Sequence, residues 1–451
     1  MGLAGCQSYE RKPLDLSAYR ETLIGRSTDA PEVAEFARSL AANEPQSAMV
    51  YDPSDGLSLP EAEAVALVFN PDLRQARLRA GVALAVADTA GLWEDPVLGT
   101  DLTRIIQNTQ YPWKSFNTVA FTIPISGRLE IEKQRAGAAH AAEVVRVYQA
   151  EWETRTALRK VWAEWTAAGQ RLESAREFVT RLDQVVSIVD RLEKAGEMPR
   201  VDATLFRVEW GSRRAELAQL QAAVTESELT MKRLMGLAPD APIFLVPGQM
   251  GRTERATIDL LQSWMAERNA AIAAAKAEYE IAERSLELEV RKQYPDLTIG
   301  PGYGYEDGQD QFLLNVAIPL PILNRNQQGI ARARGERELS RAVYETTYER
   351  LLSELQSASV RHTAATTQRR ALEDDLVPLV DRQYSDVRKT MDLGEVNALL
   401  LLETLKTQQQ IKQRLIDART DEHLAAIRLD ELVGPEPAPQ IGQPNTTGVQ
   451  P

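Results

Sequence analysis

The chain is written twice. Asn70 opens the run N-P-D-L-R-Q-A-R-L, and 199 positions later Asn269 opens N-A-A-I-A-A-A-K-A. Pro96 in D-P-V-L recurs at the same spacing as Pro295 in Y-P-D-L. Gly196-Glu197 returns 198 positions on as Gly394-Glu395, and Met235-Gly236 as Val433-Gly434. F-T-I-P-I at residues 121–125 matches V-A-I-P-L at 316–320 with a small indel. A unit of about 200 residues is too long for a stacked solenoid repeat. It reads as a duplicated half-protein, each copy with the order helix, strand, strand, very long helix, break, helix.

Residues 1–58 form an N-terminal segment, irregular apart from helix near 31–42. The first repeat covers 59–236 and the second 258–434, with a Pro-containing crossover at 237–257 and a Pro/Gln/Gly-rich tail at 435–451. Ser58-Leu59-Pro60-Glu61 is a capping box that starts a helix. Asn70-Pro71 interrupts it and starts another, expected to reach about Leu92. Isolated glycines apart, nothing breaks a helix from 129 to 194, and a second helix of similar length is expected from about 329 to 392. At 1.5 Å per residue each is on the order of 100 Å long, and such helices need neighbours along their whole length.

The strands are expected at about 96–103, 117–125, 295–305 and 311–320. In the second copy Leu297, Ile299, Phe312, Leu314, Val316 and Ile318 alternate with Thr298, Gly300, Gln311 and Asn315. Apolar residues on one face and small or polar ones on the other, in segments of about ten residues, mark membrane β-barrel strands. An amphipathic hairpin lying on a helical core gives the same pattern. No run approaches the roughly 20 apolar residues of a spanning helix, so any membrane crossing falls to the strands. Four strands cannot close a barrel and leave two open edges. The reading is therefore an oligomeric barrel with a long helical extension. Tyr303 and Tyr305 are the better candidates for an interfacial aromatic belt, ahead of Tyr111, Trp113, Tyr294 and Trp93.

The formal charge of -13 offers no basic stripe for nucleic acid. His140, His362 and His423 are far apart, and no metal-ligand spacing, phosphate loop or catalytic constellation is present. No enzyme activity, cofactor or resident metal is expected.

The single cysteine excludes an internal disulfide. Leu3-Ala4-Gly5-Cys6 matches the lipobox of bacterial lipoproteins, with Gln7 rather than Asp following, as in lipoproteins sorted to an outer membrane. Cys6 is thus the expected site of lipidation, palmitate included. With the duplicated order of elements, the N-P-D-L opening and I-P-L-P-I-L-N-R-N-Q at 318–327, the chain resembles the TolC-type outer-membrane efflux proteins over about 59–434. It is closest to the lipoprotein branch that serves resistance–nodulation–division pumps.

The resemblance implies a mostly α protein with a membrane β-barrel. In it a homotrimer forms a 12-stranded barrel continued by a 12-helix α-barrel in the periplasm. It also implies a passive duct for small molecules or metal ions, partnered by a periplasmic adaptor and an inner-membrane pump. The breaks at Gly196 and Gly394 become the adaptor-facing tip turns. Leu400, Glu403 and Asp202 become the candidate periplasmic gate. The run 399–402 is a candidate hydrophobic constriction, which gates by dewetting. The competing readings are a soluble coiled-coil scaffold or adaptor, and the outer-membrane duct of a type I protein secretion system.

Overall fold

The computed structural model describes residues 9–43, 51–248, 256–392 and 398–435. Cys6, Gly394 and the tail after Pro435 lie outside them.

The first repeat begins with α3 (Leu59–Phe69) and α4 (Pro71–Asp88). Strands β1 (Val97–Arg104) and β2 (Trp113–Ile123) follow, then α5 (Arg128–Ala195) and α6 (Arg200–Leu234). The second repeat has α7 (Ile258–Arg268), α8 (Ala270–Arg291), β3 (Leu297–Glu306), β4 (Gln309–Ala317) and α9 (Gln327–Arg370). A π-helical turn (Ala371–Leu376), α10 (Val377–Asp392) and α11 (Ala398–Val433) complete it. Ahead of both lie α1 (Leu16–Ile24) and α2 (Pro31–Asn43).

The structure corrects the sequence reading in several places. Helix α1 was not expected; Asp15 starts it by accepting from the Ser17 and Ala18 backbone N–H groups at 2.9 and 3.1 Å. Helix α4 stops at Asp88 rather than Leu92. The Thr89 hydroxyl bonds back to the Ala85 carbonyl at 2.9 Å, and Gly91 turns with φ of 71° where a Cβ would meet the Leu129 carbonyl oxygen at 2.6 Å. Strand β2 starts at Trp113, ahead of the expected 117. Strand β4 ends at Ala317, so Ile318 sits past the last paired residue, where Pro319 and Pro321 have no N–H to offer a ladder. The second long helix is also broken: α5 runs unbroken for 68 residues, whereas its counterpart passes through the π turn.

The two Asn residues that mark the repeat do the same thing in each half. The Asn70 side-chain oxygen accepts from the backbone N–H groups of Asp72 and Leu73, both at 2.9 Å, and caps α4. Its amide donates to the Leu234 carbonyl at the end of α6, 2.8 Å away. Asn269 accepts from Ala271 and Ile272 at 2.9 and 3.2 Å and donates to the Leu432 carbonyl at 2.7 Å. One side chain thereby joins the C-terminus of one helix to the N-terminus of another, satisfying orphan groups on both.

The paired glycines make this approach possible. Gly236 has φ of 69°, and a Cβ there would lie 2.1 Å from the Phe69 carbonyl oxygen. Gly434 has φ of 92°, and a Cβ would lie 2.5 Å from the Arg268 carbonyl oxygen. Asn70→Ala removes a cap worth about 1 kcal/mol and strands a buried carbonyl, costing about 1–3 kcal/mol more. Chemical unfolding of the variant in detergent should show that loss, with Asn70→Asp in between. An alanine variant as stable as the parent would mean that the joint carries no load.

Three apolar clusters hold the chain. Beside the first joint, Val33, Leu57, Val65, Leu158, Trp162, Met231 and Met235 are buried together. Beside the second, Leu261, Met265, Leu351, Leu355, Leu429 and Leu432 are. The third lies at the far end of α5: Phe178, Leu182 and Val189 pack on Ala203 and Phe206 of α6 and on Leu401, Leu402 and Leu405 of α11. The N-terminal segment is tied to the first joint, where Arg26 donates to the Gly236 carbonyl at 2.7 Å.

Candidate channel wall and gate

The four strands form one antiparallel sheet in the order β1-β2-β3-β4. The helices beneath follow the same order. Helix α4 leads into β1, β2 into α5, α8 into β3 and β4 into α9. Helix α5 packs on α4 and α8, and α8 packs on α9. Below the joints α6 and α11 flank α5, and α10 packs on α11. The chain is thus a slab of wall with the seam between repeats at β2–β3 and α5–α8.

The strand registers separate two faces. Ile299 pairs with Val316, Pro301 with Leu314 and Tyr303 with Phe312, while Phe121 pairs with Ile299 and Ile123 with Leu297. Paired residues point to the same side, so Leu297, Ile299, Phe312, Leu314 and Val316 share a face with Val119, Phe121 and Ile123. Val119 pairs with Leu98 and Ser115 with Leu102, which adds both leucines to that face. The opposite face carries Thr298, Gly300, Gly302, Gly304, Gln311 and Asn315, with Asp101, Lys114, Thr118 and Glu306. Lys114 and Glu306 form an ion pair there. The glycines of β3 make room for β2: a Cβ at Gly304 would lie 2.1 Å from the Phe116 ring, and one at Gly302 would lie 2.7 Å from the Thr118 methyl. No helix of the described residues is long and apolar enough to cross a membrane.

The aromatic candidates separate into two levels. Trp113, with Arg104 over its ring at 5.5 Å, Tyr111, Tyr303 and Tyr305 lie toward the hairpin ends of the strands. Trp93 and Tyr294 lie where helices enter the sheet.

At the opposite end of the wall α5 finishes on Gly196, whose φ of 78° suits a glycine. Gly196 N–H bonds the Glu193 carbonyl at 3.0 Å, and Glu197 N–H bonds that of Leu192 at 2.9 Å. Asp202 is half-buried in the first turn of α6. Glu403 is exposed and pairs with Lys406 at 3.2 Å. The leucine run is divided: Leu401 and Leu402 are buried in the third cluster, while Leu399 and Leu400 are exposed. The tip thus presents Leu399, Leu400 and Glu403 outward from a packed core.

The ion pairs that knit the wall were not singled out in the sequence. Lys160 of α5 reaches Glu431 of α11 at 2.6 Å, and Arg428 bridges Glu431 and Glu354 of α9, both at 2.6 Å. Burial opposes ionisation of Glu431, but the hydrogen bonds from Lys160 and Arg428 outweigh it and hold this carboxyl below its ordinary range. Glu63 of α3 is buried and bonded by Arg155 and Arg159 at 2.8 and 2.5 Å. Beside the π turn, buried Arg369 bridges Glu422 of α11 and Glu373, and Arg419 reaches Glu373 at 2.7 Å. The Arg369–Glu373 spacing of i,i+4 was a legible signal for one pair; the partners on α11 were not. Among the described residues no cluster of His, Cys, Asp and Glu could hold a metal ion.

Residues 64–237 and 261–435 match the family described as outer membrane efflux protein. The chain belongs to the outer membrane efflux protein family. Its two matched stretches coincide with the two structural repeats. The cobalt-zinc-cadmium resistance protein CzcC of Cupriavidus metallidurans is 27% identical over 244 residues. That alignment takes in 53% of this chain and 58% of CzcC, so this member of the family spans under two thirds of that relative's length. Among solved structures, CusC superposes with a TM-score of 0.70 at 16% identity, covering 83% of this chain and 92% of CusC. The outer membrane protein VceC of Vibrio cholerae gives 0.69 at 18% identity, covering 83% and 96%. At these identities the likeness speaks for the fold alone.

Proposed function

We propose that three copies of this efflux-family chain close into a 12-stranded barrel continued by a 12-helix tunnel. The assembly is a passive export duct across the outer membrane and periplasm. The observation that carries this reading is the pair of open edges. Within one chain β1 and β4 each have a single neighbour, and a sheet crossing lipid must pair every edge. The native mass in detergent tests it: a trimer is expected, and a stable monomer refutes it.

In this reading the apolar sheet face meets lipid and the face with Gly302, Gly304 and Asn315 lines the pore. Cys6 carries the lipid anchor. A periplasmic adaptor docks at the tips and an inner-membrane pump supplies the energy. The duct carries cargo and performs no chemistry on it. The likeness to CzcC, a cobalt-zinc-cadmium resistance protein, favours metal ions as that cargo.

The gate belongs at the tip, where Leu400 and Glu403 project from a packed base and three copies would crowd the axis. Leu400→Ala should raise basal conductance in planar bilayers, and Glu403→Ala should lower cation preference by removing negative charge. If both variants conduct and select like the parent, the constriction lies elsewhere.

A further inference from the structure

The connections from strand to long helix differ between the two repeats. Residues 124–127 join β2 to α5. Residues 318–326 join β4 to α9, and the extra length is mostly apolar. The longer connection is braced. Asn326 donates to the Glu289 carbonyl of α8 at 2.8 Å, and Arg325 donates to the Pro321 carbonyl at 3.2 Å. Leu320 lines a groove with Tyr294 and Asp296 but is itself 73% exposed. Ile322 and Leu323 stand outward beside it, 70% and 93% exposed. A rigid support that holds two large aliphatic side chains in water is costly unless something covers them.

Its position identifies the cover. The β2–α5 connection lies inside the wall, with helices on both sides. The β4–α9 connection lies on the open edge. At the other open edge, the α4–β1 connection exposes Leu92 and Trp93 at 68% and 62%. The registers place both connections at the helical ends of the two edge strands. Val97 pairs with Ala120, Ile123 with Leu297 and Thr298 with Ala317, which carries the line of Trp93 across to Pro124, Asp296 and Pro319.

We propose that Ile322 and Leu323 of one copy seat against Leu92 and Trp93 of the adjoining copy, forming an apolar latch that closes each seam where sheet becomes tunnel. This rests on the closed-trimer reading and adds to it which residues seal the seam. A lipid surface is the competing cover, and it is less favoured because both patches sit on the edges that copies must share.

Crosslinking in membranes tests the latch. In a Cys6→Ser background, Leu323→Cys with Trp93→Cys is expected to give dimers and trimers on denaturing gels with a short bismaleimide. Either cysteine alone should give monomer. Leu323→Cys with Leu92→Cys repeats the test should Trp93→Cys fail to assemble. Leu323→Asp should lower the temperature at which the trimer dissociates, while a strand residue such as Asn315→Asp leaves it unmoved. A trimer by native mass that forms no crosslink with either pair overturns the latch and leaves the channel reading standing. Strong quenching of a Leu323→Trp probe by brominated lipid in that trimer also overturns it, assigning the patch to lipid. A monomer by native mass overturns both.

Discussion

Arg369→Met is expected to destabilise the wall by about 3–5 kcal/mol per chain, the range for removing one partner of a buried ion pair. Arg369 and Glu422 keep only 5% and 9% of their side-chain surface exposed. Without the guanidinium, Glu422 retains the Thr366 hydroxyl at 2.9 Å, too little to offset a buried carboxylate. The double variant Arg369→Met, Glu422→Leu should recover most of the loss, because an apolar pair of similar volume is tolerated where a lone charge is not. Denaturant unfolding followed by circular dichroism measures both. A single variant within about 0.5 kcal/mol of the parent would show that the charges are solvated in the assembly.

The same cluster gives the wall an acid limit. The hydrogen bond from Arg419 holds the Glu373 carboxyl below its ordinary range; burial opposes this, and Arg369 adds to the lowering. A lowered carboxylate contributes stability that is fully present above its unfolded pKa of about 4.3. That contribution is lost as pH falls through the lower, folded value. Glu373→Gln should therefore flatten the acid limb of the stability curve below about pH 4 and change little above it beyond a constant offset.

Leu314→Arg is expected to impair insertion by roughly 2–4 kcal/mol, the cost of a cation on the lipid face near mid-bilayer. Leu314 lies within β4 opposite Pro301, on the apolar face. Asn315→Arg, one residue on and opposite Gly300, should insert like the parent because in the proposed barrel its side chain meets the aqueous pore. Folding titrations into lipid vesicles compare the two. The reverse result, with arginine tolerated at 314 and excluded at 315, would put the register out by one and turn the sheet inside out.

Much of the architecture was legible before any coordinates because it repeats. Period-2 alternation in the second copy marked a hairpin, since side chains of a strand point alternately to its two faces. The stretch 129–194, free of strong breakers, and its counterpart in the second copy marked helices that must lie side by side. Gly196 was legible as a helix break, and α5 ends there with a positive φ, which favours a residue without a Cβ. The tip itself was less so. The leucine run 399–402 looks uniform as a string, yet its members divide between the packed cluster and solvent. Only the placement of α5 beside α11 decides which leucines are covered.

The duplication, the alternation and the turn residues by themselves determined the order of the repeated elements and the kind of face each strand presents, because these are local patterns with fixed periods. The tertiary structure alone decided how the pieces meet. Asn70 is a cap by sequence, but that its amide also holds the end of α6 depends on a residue 164 positions away. The burial of Arg369 depends on α11 lying alongside α9. The apolar connection at 318–326 stood out in the string only as a family motif; that it and the α4–β1 connection lie at opposite open edges follows from four strands pairing in a single order. Such contacts are set by packing between segments distant in sequence, where no local period reaches.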